Sequence, residues 1–141
     1  MKIGFVGAGN MGQAILKGLI NSGFSKNDLV AITKTVESSK KIASDFKVYS
    51  SNKIEDIKDC DVVFIGVKPQ NINEVLPEIK KNISNEALLI SLAVGVKTES
   101  IEKILENQFK VIRAMPNTPA LVGKGVTGLA KGANATENDL E

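Results

Sequence analysis

Near its start the chain reads Lys2-Ile3-Gly4-Phe5-Val6-Gly7-Ala8-Gly9-Asn10-Met11-Gly12. A short apolar run at residues 2–6 ends in glycines spaced as GxGxxG, and the run has the character of a buried parallel strand. Residues 10–21 carry Met11, Ile15, Leu16 and Leu19 at three- and four-residue intervals, the spacing of an amphipathic helix. Glycines placed between such a strand and such a helix occur where a dinucleotide is bound. Gly7 permits the tight turn, Gly9 lets a pyrophosphate approach the backbone, and Gly12 lets the helix lie close to the strand. The amino end of the helix then offers N–H groups and a positive dipole end to phosphate. The plain alternative is a glycine-rich turn with no ligand.

The same alternation continues along the chain. Residues 29–32, 48–49, 61–67, 87–93 and 111–114 read as strands, with a weak final strand at 126–130 broken up by Gly123, Gly125, Gly128 and Gly132. Residues 36–46 read as a helix with Ile42, Ala43 and Phe46 at its apolar end. Ile72, Val75, Leu76, Ile79 and Ile83 sit at helical spacing, and Thr98 is placed to cap a helix containing Ile101, Ile104 and Leu105. Strand and helix in strict alternation imply right-handed βαβ units. The expected fold is an α/β, Rossmann-like, doubly wound domain over residues 1–135, its mainly parallel sheet carrying helices on both faces. At 136–141, Thr136-Glu137-Asn138-Asp139 resembles a cap and an acidic first turn. This is either the start of a truncated helix or linker, or a frayed polar tail.

Composition narrows the chemistry. The 141 residues carry 18 Lys+Arg and 16 Asp+Glu, a net charge of +2, with 43% hydrophobic and 24% charged residues. The lysines are dispersed, so no basic face is built for nucleic acid. Histidine is absent, which removes histidine-based triads, dyads and metal sites. No carboxylate pair presents itself as a metal site either. One cysteine excludes an intrachain disulfide, and Cys60, between Asp59 and Asp61, reads as a strand-edge residue without a catalytic role. No apolar run approaches the roughly 18 residues of a membrane helix. The strand-like start shows no signal peptide, so the expectation is a cytoplasmic protein.

The end of the second strand selects the dinucleotide. An NAD site places a carboxylate there to hold the ribose hydroxyls, whereas this chain has Ile32-Thr33-Lys34-Thr35. Hydroxyls and a cation favour NADP, although Lys34 would also suit a solvated surface. Glu37 reads better as the first turn of the following helix. Gly66-Val67-Lys68-Pro69 ends the most apolar strand and borders the crevice, with Lys68 placed for a phosphate, a substrate carboxylate, or simply a turn. Ala93-Val94-Gly95 lies at the equivalent edge of the next strand. Met115-Pro116-Asn117-Thr118-Pro119 is a proline-stiffened loop whose small polar groups suit orienting a nicotinamide or substrate.

Together these segments resemble pyrroline-5-carboxylate reductases, in order and at matching intervals through nearly the whole chain: the glycine loop, Val67-Lys68-Pro69, Ala93-Val94-Gly95-Val96, and Arg113-Ala114-Met115-Pro116-Asn117-Thr118-Pro119. The last run is the most specific. The resemblance implies hydride transfer from NAD(P)H, with NADPH preferred, to the imine carbon of 1-pyrroline-5-carboxylate, forming L-proline. It implies that the cofactor lies against Val6, Gly7, Ala8, Gly9, Asn10 and Met11 and against Thr33, Lys34 and Thr35, with Asn52 near the adenosine half. Gly66, Val67, Lys68, Pro69, Ala93, Val94 and Gly95 would line the dinucleotide, and Asn117 would lie near the nicotinamide. Thr33-Lys34-Thr35 departs from the arginine that many relatives carry there. The resemblance also implies a further helical domain that makes a homo-oligomer and supplies most of the substrate site. No catalytic residue is assigned within these 141 residues, and the general acid is expected in that further domain. This chain alone is expected to bind cofactor with little turnover.

Two alternatives stay open at this point. One is a dehydrogenase domain of the 6-phosphogluconate or 3-hydroxyacid type, which shares the glycine loop. The other is a non-catalytic NADP-binding module.

Overall fold

The computed structural model describes residues 1–93, 95–116 and 127–131. Its elements run β1 (Ile3–Val6), α1 (Asn10–Asn21), β2 (Leu29–Ile32), α2 (Val36–Phe46), β3 (Tyr49–Ser51), β4 (Val62–Ile65), α3 (Ile72–Asn82), β5 (Leu88–Ser91), α4 (Thr98–Ile104), β6 (Lys110–Pro116) and β7 (Thr127–Lys131). Short 3-10 turns occupy Lys26–Asp28, Ile54–Ile57 and Pro69–Asn71. One sheet holds all seven strands in the order β3-β2-β1-β4-β5-β6-β7. The first six are parallel, and β7 pairs antiparallel with β6, Ile112 opposite Lys131 and Pro116 opposite Thr127. This is the doubly wound α/β fold read from the alternation.

The side-chain alternation of a strand divides the core between the two faces of the sheet. On one face, Val6, Val63, Ile65 and Leu89 pack with Leu76 and Ile79 of α3 and Ile101 of α4. On the other, Ile3, Phe5, Leu29 and Ala31 pack with Leu16 of α1 and Ile42 of α2. Phe5 and Phe64 stack across β1 and β4 with ring centroids 5.0 Å apart. Next to that stack, Val62, Phe64, Leu88 and Ile90 are only half-buried. They line an open groove whose rim carries Asp61, Glu86 and Lys110.

Several boundaries differ from expectation. Thr98 is not the cap of α4 but its first residue; Lys97 holds the cap position, with no side-chain cap bond. The third strand is displaced from 48–49 to Tyr49–Ser51, because its backbone pairs in register with Val30, Ala31 and Ile32. Val48 is instead buried at the strand's entrance, after Lys47 ends α2 in the left-handed conformation. Ile83 follows α3 in extended backbone rather than completing it. Residues 132–141, including the helix start expected at Thr136, lie outside the described residues.

Candidate dinucleotide site

The expected site residues within the described region lie at or just beyond the carboxyl ends of the strands, with Val6 ending β1 and Asn10 and Met11 opening α1, where open α/β sheets bind ligands. Backbone hydrogen bonds carry the strand pairing past the strand ends and align the loops. Gly7 N donates to Ile32 O (2.8 Å), Thr33 N to Ser51 O (2.9 Å), Gly66 N to Val6 O (2.8 Å) and Leu92 N to Ile65 O (2.9 Å). The strand order therefore sets Asn52, Thr33, Gly7, Gly66 and Ala93 in a row along one edge of the sheet. The chain reverses direction across the sheet between β1 and β4, so the crevice opens beside Gly7 and Gly66.

These two glycines are sterically required. Gly7 has φ +86°, and a Cβ there would lie 2.8 Å from both Gly66 C and Val67 N. A Cβ at Gly66 would collide with the Gly7 carbonyl oxygen. Gly12 is buried in the first turn of α1, and a Cβ there would press on Gly7 O at 3.2 Å.

The amino end of α1 is left open. Gly9 caps it in extended backbone, no side chain makes a cap bond, and the first turn contains no acid. The first intrahelical bond runs from Gln13 N to Gly9 O. The N–H groups of Asn10, Met11 and Gly12 thus precede the ladder. Among the described residues, and apart from Gly9's own neighbours in the chain, nothing stands within 4 Å of the position a Gly9 Cβ would take. Donors, a positive dipole end and open space are the requirements of an anion cradle, so these residues fit a dinucleotide pyrophosphate.

The amino end of α2 differs. Thr35 Oγ1 accepts from Ser38 N (3.1 Å) and donates to Ser38 Oγ (3.0 Å), while Thr33 Oγ1 donates to Thr35 O (2.8 Å). Both threonine hydroxyl protons that the sequence offered to a ligand are therefore committed within the turn. Lys34 is exposed between them. Glu37 occupies the first turn of α2, as expected.

Lys68 is exposed, and its carbonyl accepts from Asn71 N (2.8 Å) in the 3-10 turn that Pro69 opens. Ala93 is buried, its N–H donating to Ser91 Oγ (3.3 Å), and Gly95 turns the chain with φ +76°. Val94 and Asn117, with the rest of the loop at 117–119, lie outside the described residues.

Two features were not visible in the motif. Gln13 Nε2 donates to Ala8 O (2.9 Å) and ties the glycine loop to its own helix. At the other end of the row, Asp56 accepts hydrogen bonds from Ser51 and Tyr49 beside Asn52. Neither follows a spacing rule, so only the folded turn reveals them. Cys60 is buried, and burial, with Asp61 and Asp59 adding to it, pushes its thiol up to about 11. That removes it from thiolate chemistry, and desolvation outweighs the flanking charges. Among the described residues, no cluster of His, Cys, Asp and Glu could hold a metal ion, and no helix is long and apolar enough to cross a membrane.

Comparison with known proteins bears on the family and the fold. Residues 2–95 match the model of a family described as "NADP oxidoreductase coenzyme F420-dependent". The chain is 36% identical over 140 residues to a pyrroline-5-carboxylate reductase of Escherichia coli, covering 98% of this chain and 52% of that protein. A solved pyrroline-5-carboxylate reductase from Coxiella burnetii superposes with a TM-score of 0.91 at 34% identity, covering 99% of this chain and 52% of the other. The Plasmodium falciparum pyrroline carboxylate reductase, solved with NADP bound, gives 0.85 at 28% identity, covering 99% and 51%. The chain thus spans about half the length of the relatives it matches, and the resemblance drawn from its motifs is borne out. With this strand order, this glycine loop and these relatives, the chain belongs to the NADP oxidoreductase, coenzyme F420-dependent, family.

Proposed function

We propose that this chain binds NADPH and forms the dinucleotide-binding part of a reductase that converts 1-pyrroline-5-carboxylate to L-proline. The observation that carries the reading is the uncapped, acid-free amino end of α1, which opens beside Gly66 where the strand order reverses. The names of the relatives supply the substrate, and the NADP held by the Plasmodium falciparum relative supports the cofactor.

The first-turn N–H groups of Asn10, Met11 and Gly12 receive the pyrophosphate, and Gln13 steadies the Ala8 carbonyl beneath it. Lys34 meets the 2′-phosphate, with the Val36 and Glu37 N–H groups at the start of α2 beside it. A lysine point charge, and no carboxylate in the Thr33-Lys34-Thr35 turn, favour NADPH over NADH. Val6, the Gly66–Pro69 loop, Ala93 and Gly95 line the dinucleotide and Asn52 serves the adenosine half, while the resemblance assigns Val94 to the same lining and Asn117 to the nicotinamide. When bound, the reduced nicotinamide supplies the hydride that adds to the imine carbon. The chain's own residues hold and orient; the proton needed by the imine nitrogen comes with the substrate or from a group in the helical domain implied by the resemblance. That domain also makes the homo-oligomer, and the whole enzyme acts in the cytoplasm.

Calorimetric titration of the chain with NADPH and NADH tests this reading. Tighter NADPH binding, with little imine reduction by the chain alone, is expected. Tighter NADH binding overturns the phosphate assignment, and absence of binding by either overturns the function.

A further inference from the structure

β3 is a three-residue strand at the edge of the sheet, paired among the described strands on one side only, with β2. Asn52 follows it directly and is exposed. Edge strands of this length have few ladder bonds to fix the turn beyond them, so other bonds must. Here Ser51 is the junction. Its carbonyl accepts from Thr33 N (2.9 Å), and its hydroxyl accepts from Lys53 N (3.2 Å) while donating to Asp56 Oδ2 (2.6 Å). Tyr49 OH donates to the same carboxylate oxygen (2.9 Å), and Asp56 N donates to Lys53 O (3.1 Å). Both neighbours of Asn52 are thereby clamped, one to β2 and one to Asp56, while the Asn52 side chain is left to solvent at the crevice edge.

We propose that Asp56 is a positioning residue for dinucleotide binding: by joining Ser51 and Tyr49 it holds the 51–53 turn in the shape that presents Asn52 to the adenosine half of the cofactor. This rests on the proposed function, because it takes Asn52 to meet that half. The two hydroxyls converge on one oxygen, so the turn requires an acceptor at that point rather than a negative charge. The Ser51 hydrogen bond, the largest influence, holds the Asp56 carboxyl below its usual range, against the opposing effect of partial burial. The acceptor is therefore ionised throughout the neutral range. Holding the turn before binding lowers the ordering cost that would otherwise be subtracted from affinity.

The test compares the unaltered chain with Asp56→Ala and Asp56→Asn by calorimetry, using NADPH, adenosine 2′,5′-bisphosphate and nicotinamide mononucleotide. Asp56→Ala is expected to weaken NADPH and the bisphosphate by the same factor, about fivefold, while leaving nicotinamide mononucleotide and the melting temperature nearly unchanged. Asp56→Asn, which keeps an acceptor oxygen, restores most of the affinity. Equal affinity in Asp56→Ala overturns the positioning role alone. So does a loss that tracks a fall in melting temperature, or one that Asp56→Asn fails to rescue. If the unaltered chain binds no NADPH, the proposed function falls and this inference falls with it.

Discussion

The Gly7 carbonyl oxygen fills the space that a Gly66 side chain would need, so the two loops at the centre of the sheet edge are packed backbone against backbone. Gly7 itself cannot carry a side chain, because its φ of +86° and the Val67 backbone both oppose one. The relationship couples the glycine loop after β1 to the loop after β4, and the cofactor crevice depends on their contact.

Gly66→Ala is therefore expected to destabilise the chain by about 1–3 kcal/mol through overpacking and to weaken NADPH binding at least tenfold. Urea denaturation and calorimetry check the two effects. Unchanged stability would mean that the loops separate without cost.

Lys34→Ala is expected to weaken NADPH about fivefold to tenfold, the range of a single exposed charge-assisted contact, and to leave NADH within twofold. The difference should shrink as salt is raised. Equal losses for the two dinucleotides would remove Lys34 from the 2′-phosphate site.

The sheet faces make a sharp comparison in β5. Leu89 is fully buried between the sheet and the α3/α4 side, whereas Leu88 is half-exposed in the open groove. Leu89→Ala should cost about 2–5 kcal/mol and Leu88→Ala markedly less, as measured by denaturant unfolding. The reverse order would contradict the burial of Leu89 and the exposure of Leu88 in β5.

Cys60 gives a pH signature. Its thiol titrates near 9.0 when unfolded and is raised to about 11 in the fold. Folded protein therefore holds that proton more tightly, so the stabilisation is complete below pH 9 and is lost as pH rises through the folded value. Cys60→Ala should flatten the fall in stability above pH 9, and the native thiol should resist alkylation at neutral pH until denaturant is added. Rapid alkylation of the folded chain would contradict its burial.

Much of this architecture is legible in the sequence because parallel strands buried on both faces are written as apolar runs. Val62-Val63-Phe64-Ile65 marks β4, although the strand expected at 61–67 stops at Ile65, and the bounds of α1, β2 and α2 follow directly from apolar spacing. The third strand is harder to place. Its ladder is made by the backbone of Ser50 and Ser51 at the sheet edge, where side-chain apolarity carries no signal. Thr98 has the chemistry of a cap, yet the turn begins one residue earlier, at Lys97. In the site, Gly7 announces itself through spacing, but the consequence of Gly66 depends on a contact between loops that are distant in sequence. The Thr33 and Thr35 hydroxyls look available in a list of residue types, and only the folded turn shows where their protons go.

The open amino end of α1 is the centre of the proposed site, and amide chemical shifts report on it residue by residue. Titrating NADPH into the isotopically labelled chain should move the amides of Gly9, Asn10, Met11 and Gly12 first and farthest, with Lys34 and Gly66 following. Saturating NADPH that leaves those amides still, or moves only residues around Leu88 and Lys110 at the opposite end of the sheet, would contradict the site.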